Sequence, residues 1–416
     1  MRILKTLLLG LLAVNLPHVS HAESPWLLPN FSDRLEVDVR NQDAIRLRKV
    51  VVLKVRDLVG EAPNFPGTFA LAMQSDHGGT FLPLQVDDLD GDGVPDEVAL
   101  LVDVPARSMV PVHIYYSMTL HDRVPWTQMV HASHNYGFNR ETAAIESTGI
   151  GYRMYGGLML DVQAHSAGRD GLFNTLLGYS RTGTPVQEGR DIVHYGQTLG
   201  LGGVYLRSGA MLYQPPSNTP TYAHHKSVEG EPTYRVLADG PIRAVVQADL
   251  PAWKAGNSDL AVRGVYEIDA GEEVVHASVE VTPRRLASHA TLGFGILRLP
   301  KERLEQTQQS IASCGTQDAM VGALALGLRW QQGVAHSYEH LRTAGGENHI
   351  VELQQLPVVG ETTRFSYSMA AAWSKHDVEP LRHVQEVLEV AGRQLDVLRV
   401  HHATNPEPKA LEGEPL

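Results

Sequence analysis

Apolar and polar residues alternate with a period of two over short segments, and glycine, proline or acidic turn residues separate them. Leu35–Val39, Arg48–Val55, Phe69–Gln74, Phe81–Val86, Glu97–Val104 and Val110–Ser117 are rich in β-branched residues and too short for helices. They predict a small β-sandwich over residues 23–125. Residues 125–141, with Trp126, His131, His134, Asn135, Tyr136 and Asn139, read as a linker or ordered loop. Alternation then resumes in Tyr152–Val162, Ile242–Leu250, Leu260–Ile268, Glu273–Val281, Leu292–Leu299 and Arg364–Ala372. This predicts a larger antiparallel β-sandwich over 126–400, interrupted by long Gly-rich loops at Tyr179–Gly203 and Tyr213–Thr233. One helical period appears: Asp377 as cap, then Val378–Ala391 with Leu381, Val384, Val387 and Leu388 on one face and Gly392 as stop. The Pro/Glu-rich residues 401–416 read as a disordered tail. The expected class is all-β.

Residues 1–22 follow a different pattern. Arg2 and Lys5 precede the apolar run Thr6–Leu16, which is too short to span a bilayer, and Ser20-His21-Ala22 supplies small residues before a cleavage point. The expectation is a signal peptide and a periplasmic or secreted product with no membrane span. Its loss takes the formal charge from −12 to −14, which disfavours nucleic acid as a partner. Cys314 is the only cysteine, so no internal disulfide can form and stability must come from burial.

Three stretches carry candidate chemistry. In Gln85–Glu97, Asp88, Asp90, Asp92 and Asp96 fall at positions one, three, five and nine of a calcium-loop pattern, with Gly93 at the bend. The acidic ligand of position twelve is missing (Ala99 stands there) and strands flank the loop, so it is no EF-hand. The expectation is a structural calcium at a hairpin tip; the bland alternative is a solvated turn. The second stretch puts Arg153 and Tyr155 on one face of a strand, a pair suited to gripping a sugar carboxylate. Alternatively, Arg153 pairs with Glu141 or Glu146 and the tyrosine is core. The third packs Glu188, Arg190, Asp191, His194 and Tyr195 into a Gly-rich segment, where a histidine and a tyrosine can act as base and acid. No helix follows those glycines, so they do not form a phosphate cradle. His165, His224 and His225 lack metal-ligand spacing. There is no Gly-x-Ser-x-Gly elbow, Walker loop or His-Glu-x-x-His, and no organic cofactor is expected.

The ordered set Gln85–Glu97, Tyr152-Arg-Met-Tyr-Gly156, Gly200-Leu-Gly-Gly203, Asp239-Gly-Pro-Ile-Arg243, Ala270-Gly-Glu272 and Ala371-Ala-Trp373 resembles one family of exported bacterial proteins. That family is catalogued as a domain of unknown function, and its genes often lie beside polysaccharide-degradation genes. The resemblance spans essentially the whole chain after residue 22. It implies a galactose-mutarotase-like supersandwich, a scaffold shared with several polysaccharide lyases, and kinship with a dehydratase acting on uronate oligosaccharides of ulvan. Where relatives carry Trp-Gly-Met-Asp, this chain has His194-Tyr-Gly-Gln197, which points to a shifted substrate or catalytic group.

Together these features suggest a lyase or dehydratase eliminating across uronic-acid residues of an oligosaccharide. His194 would be the base, Tyr195 or Tyr155 the acid, and Arg153 or Arg190 the carboxylate clamp. The rivals are a glycoside hydrolase using Asp161, Glu188 or Asp191, and a non-catalytic sugar-binding protein presenting Trp126, Trp253 and Trp373.

Overall fold

The computed structural model describes residues 25–58, 60–67, 69–75, 79–119, 126–137, 140–155, 158–164, 190–196, 198–215, 232–319, 321–343, 346–355 and 357–407. Residues 1–22, where a signal peptide was expected, and His165, Glu188, His224 and His225 lie outside these residues. Among them no helix is long and apolar enough to cross a membrane. The architecture is nearly all β, in antiparallel sheets, as the alternation implies.

The small unit packs two sheets. One has the strand order Asp396–Thr404, Asp33–Asn41, Ser108–Ser117, Phe69–Gln74, Thr80–Leu82; the other runs Leu47–Lys54, Glu97–Val104, Leu84–Asp87. Leu35, Val37, Val39, Val112 and Ile114 of the first pack against Val51, Val98, Leu100 and Val102 of the second. The three-stranded sheet is also covered on its other face, where Ala99 and Leu101 join the core of the larger unit. Burial on both faces explains why Val98–Val102 is continuously apolar, where a one-sided strand alternates.

The larger unit sets a ten-stranded sheet against an eight-stranded one. The first runs Ala335–Thr343, Gly346–Leu353, Thr291–Leu297, Leu201–Ser208, Leu160–Ala164, Gly151–Tyr155, Arg140–Ser147, Val130–Gly137, with Arg190–Asp191 and Met211–Tyr213 attached. The second runs Thr233–Asp239, Arg243–Ala255, Ser258–Asp269, Val274–Arg285, Thr363–Trp373, Leu324–Trp330, Ser310–Gly315, Arg303–Gln306. Their inner faces share one apolar core, which includes Tyr152, Met154, Leu160, Val162, Phe294, Tyr266 and Met369. The helix Pro380–Ala391 lies on the outer side of the eight-stranded sheet, its Leu381, Val384 and Leu388 on Ala312, Ala325, Ala370 and Ala372. A Cβ on Gly327 would sit 2.4 Å from Val384 Cγ1, so only glycine lets the helix approach this closely.

Three expectations are corrected. Val130–Gly137 pairs with Arg140–Ser147 in a hairpin that takes up much of residues 125–141, where a linker or ordered loop was expected. Its buried positions Val130, Ala132, Ala143 and Ile145 do alternate, but histidines and small residues between them mask the period. The helix begins at Pro380, not Val378, because proline suits a first turn that needs no N–H donor. Residues 401–404 are not tail. They complete the strand Asp396–Thr404, which pairs with Asp33–Asn41 at the sheet edge. Its side chains are mostly exposed, so the ladder and the His402–Asp33 pair at 2.9 Å hold it without an apolar signature.

A polar network seats the small unit on the large one. The amide of Gln85 makes four bonds: Nε2 donates to Asp87 and to the Arg243 carbonyl, both at 2.8 Å, and Oε1 accepts from the N–H groups of Ile242 and Arg243, both at 3.0 Å. Arg243 reaches Glu97 at 2.5 Å, Glu267 at 2.9 Å and Asp87 at 3.4 Å. Burial opposes its charge, yet Glu267 and Glu97 hold its pKa above the ordinary arginine value. Lys49 pairs with Glu272, which also bonds His276 at 3.0 Å. Burial pushes Glu272 up, but His276 and Lys49 outweigh it and hold the carboxyl below its usual range.

Acids outnumber the fixed cations in this network, and Asp269 absorbs the excess. Burial first, then Glu267 and Glu272, raise its pKa well above the usual carboxyl value, with Arg243 and Lys49 opposing. Its Oδ1 has no hydrogen-bond partner. A carboxyl whose folded pKa is raised keeps its proton when the unfolded chain has lost its own. Its contribution to stability is therefore whole at acid pH and falls as pH rises from the ordinary carboxyl value through the folded one. Asp269→Asn, which cannot ionise, is expected to be more stable than wild type at neutral pH and to lose that advantage toward pH 4; urea denaturation across pH reads both.

Candidate functional site

Side chains on the outer face of the ten-stranded sheet alternate with the core residues and are also buried, although many are charged. In the hairpin, His131 and Ser133 alternate with Val130 and Ala132, and Ala144 and Glu146 with Ala143 and Ile145. In the next strands Arg153 lies between Tyr152 and Met154, and Asp161 between Leu160 and Val162. Registers align these positions into two neighbouring rows. One runs His131, Glu146, Gly151, Gln163, Asp191; the other runs Ser133, Ala144, Arg153, Asp161. Strand spacing of about 4.8 Å sets the distance between neighbours along each row.

Burial is severe for charged groups: Glu146 is 0% exposed, Asp161 1% and Arg153 5%. Arg153 donates from Nη2 to Asp161 at 3.4 Å, across the ladder, and Asp161 also accepts the N–H of Val162 at 2.9 Å. Asp161 is thus the acid facing Arg153 in register, a pairing that sequence distance along two strands conceals. At the row's end, His131 Nδ1 lies 2.7 Å from Asp239 Oδ1, which also accepts from the Ala132 N–H at 3.0 Å and from Gln128 at 3.1 Å. A carboxylate on Nδ1 fixes the proton there and makes Nε2 the basic nitrogen. Asp239 belongs to a strand of the opposite sheet, so no local motif announces the pair. The visible signal was the stretch Asp239–Arg243 itself, which holds His131 at one end and the junction at the other.

Tyr195 and His194 are placed differently. Tyr195 is buried in the core between the sheets, on the side of the ten-stranded sheet away from Arg153, and its carbonyl closes a turn with Thr198 at 2.9 Å. It is not placed to serve as an acid beside Arg153. The apolar neighbours Ile192 and Val193 carry it inward, which the proximity of His194 in sequence hid. His194 is exposed, and Gln317, in the connection after the strand Ser310–Gly315, clasps its main chain with two bonds of 2.9 Å. Arg190 stands opposite Ala164 in a two-residue strand, and Tyr155 ends the strand that carries Arg153; the side chains of both lie outside the described residues. Trp253 and Trp373 are core residues, 1% and 3% exposed, so neither is a sugar platform.

The acidic hairpin joins strands whose last ladder pair is Asp87–Glu97. Carboxylate oxygens of Asp88, Asp90 and Asp96 lie within 4.8 Å of one another. Asp92 departs from that group and accepts the Val94 N–H at 2.7 Å. Asp88 accepts from Gly93 and Gly91 at 2.7 Å and from Asp92 at 3.2 Å; the Gly93 bond above all lowers its pKa. Hard oxygen donors at this spacing fit a calcium-sized cation, with three of the four expected ligands grouped.

The family model described as "Domain of unknown function (DUF4861)" matches residues 39–159 and 184–386. No curated protein matches the chain. Among solved structures, an α-mannosidase from Enterococcus faecalis V583 aligns at 9% identity and TM-score 0.47 over 91% of this chain and 46% of its own. A glycosyl hydrolase family 38 protein from Enterococcus faecalis aligns at 9% identity and TM-score 0.50 over 90% of this chain and 48% of its own. The second likeness is one of fold alone, and the chain spans about half the length of either protein.

Arg153 and Asp161 support each other, so removing one leaves the other charged and buried. Arg153→Met is expected to cost about 3–5 kcal/mol in chemical denaturation, and Arg153→Met with Asp161→Leu to recover most of it.

Proposed function

The chain belongs to the DUF4861 family, and from that premise we propose a carbohydrate-active enzyme that eliminates across uronic-acid residues of oligosaccharides. Its site would be the outer face of the ten-stranded sheet. The observation that supports this reading is the concentration of a buried arginine, two buried carboxylates and a carboxylate-oriented histidine in two adjacent ladder rows. Buried charge on a sheet face is costly unless it serves a purpose, and sites of proton transfer concentrate such groups.

The chemistry breaks the C–H bond α to the uronate carboxylate and the C–O bond β to it, and forms one C=C bond, with no redox partner. His131 replaces His194 as the proposed base, because Asp239 fixes its tautomer. Arg153, positioned by Asp161, would hold the carboxylate and stabilise the enolate. Tyr155, two residues along the strand from Arg153, remains the proposed acid for the leaving oxygen. Glu146 and Asp161 also favour a second reading, a glycoside hydrolase working with two carboxylates on this face. An exported location, with cleavage after Ala22, belongs to the same proposal.

Incubation of the purified protein with uronate oligosaccharides is expected to raise ultraviolet absorbance from the new conjugated double bond. His131→Gln should lower that rate by about a hundredfold, while His194→Ala stays close to wild type. Reducing ends released without absorbance would replace elimination with hydrolysis, and no product of either kind would refute both.

We also propose that Asp88, Asp90 and Asp96 hold a structural calcium. Calcium is expected to raise the melting temperature by a few degrees and chelator to reverse it, with Asp88→Asn/Asp90→Asn insensitive to both. Equal melting temperatures in calcium and chelator would make the loop a plain turn.

A further inference from the structure

Two cavities adjoin at a place that shares no residue with the rows of Arg153 and His131. One, of about 370 Å³, opens on the outer face of the eight-stranded sheet beside the end of the helix. The other, of about 330 Å³, lies at the sandwich edge, between the turn 306–309 and the strand Ala335–Thr343. They share Gln309, Trp330 and Gln332, so they form one bent groove. Each is of the size that holds a small ligand.

The lining is polar but carries little disposable charge. Glu267 is engaged by Arg243, and His276 by Glu272 and Ser368. Six glutamines dominate the rest: Gln306, Gln308, Gln309, Gln331, Gln332 and Gln394. Among the described residues none of their side-chain amides bonds to the chain. Each amide offers donors and acceptors together, as sugar hydroxyls do. Trp330, packed edge-on against Phe294 with ring centroids 5.9 Å apart, adds a rigid apolar wall to both cavities.

Tyr338, on the wall of the smaller cavity, is set by a buried relay. Its hydroxyl lies 2.5 Å from His349 Nδ1, and His349 Nε2 lies 2.8 Å from Glu302. Glu302 in turn accepts from Ser313 and from Arg298, both at 2.6 Å. The carboxylate at Nε2 requires the proton there, so Nδ1 is the acceptor and Tyr338 donates to it. Burial above all lowers the His349 pKa, which keeps the ring neutral and this polarity fixed. With its proton committed to His349, the phenolic oxygen can act toward any further partner only as an acceptor.

We infer that this groove is a binding site for a neutral oligosaccharide, separate from the proposed catalytic face. An array of amides with one fixed acceptor and an aromatic wall suits uncharged polyols. An anionic sugar would meet no uncommitted cation apart from Arg329, which lies against the helix end at Gly392. The inference does not depend on the elimination reading, because its readout is binding.

Calorimetric titration with neutral glucose and mannose tetrasaccharides, and with a galacturonate tetrasaccharide, tests it. Saturable binding of a neutral tetramer is expected, weakened about tenfold or more by Gln309→Ala/Gln332→Ala. Tyr338→Phe should weaken it several-fold, and Gln332→Ala alone, at an exposed position, gives a variant whose folding is not at issue. Any uronate elimination should stay unchanged in the glutamine variants. Failure of the wild type to bind either neutral tetramer at millimolar concentration overturns the inference. So does binding that these variants leave intact, or binding at the groove confined to galacturonate.

Discussion

The contact on which the rest depends is the four-bonded amide of Gln85 with the guanidinium of Arg243 beside it. Taking an arginine and several acids out of water is costly, and their attraction repays this only where geometry satisfies nearly every donor and acceptor. Here Gln85 fixes the backbone at Ile242 and Arg243, and Arg243 binds Asp87 and Glu97 from the small unit and Glu267 from the large one. A slip of one residue in any of these strands would turn those side chains to the apolar side. The network therefore specifies how the two sandwiches meet more than it strengthens their contact, while Ala99 and Leu101 supply the apolar part of the joint.

Most of the resembling motifs turn out to be latches of this kind. Tyr152 donates its hydroxyl to the Glu273 carbonyl at 2.7 Å and accepts the Ala371 N–H at 3.1 Å, crossing between sheets. Tyr367 donates to the Gly202 carbonyl at 2.5 Å, where a Cβ on Gly202 would strike the Met369 sulfur. The family pattern therefore reads as a record of sheet-to-sheet fastening, and the charged rows sit between its fixed points.

What the sequence disclosed follows the same physics. Strands with one buried face, such as Ser258–Asp269, announce themselves by alternation, and the amphipathic helix by its apolar stripe. Arg153 was visible as an arginine in an apolar strand. Its partner Asp161 and the His131–Asp239 pair depend on register and on the meeting of two sheets, which one-dimensional spacing does not encode. Tyr195 misled because tyrosine suits both a core and a proton-transfer site, and only burial separates them. Asp396–Thr404 was missed because an edge strand with exposed side chains is held by backbone bonds that composition does not reveal.

That last strand orders events in time. The strand Asp33–Asn41, made early, has Ser108–Ser117 on one side and Asp396–Thr404 on the other. During synthesis that edge of Asp33–Asn41 must therefore wait, unpaired, until residues 396–404 have emerged. An open edge is a template for pairing with other chains, and the interval spans the making of the entire larger sandwich. Asp396–Thr404 then takes over as the edge of the sheet, and it presents mostly exposed, polar side chains where the more apolar Asp33–Asn41 would otherwise lie open.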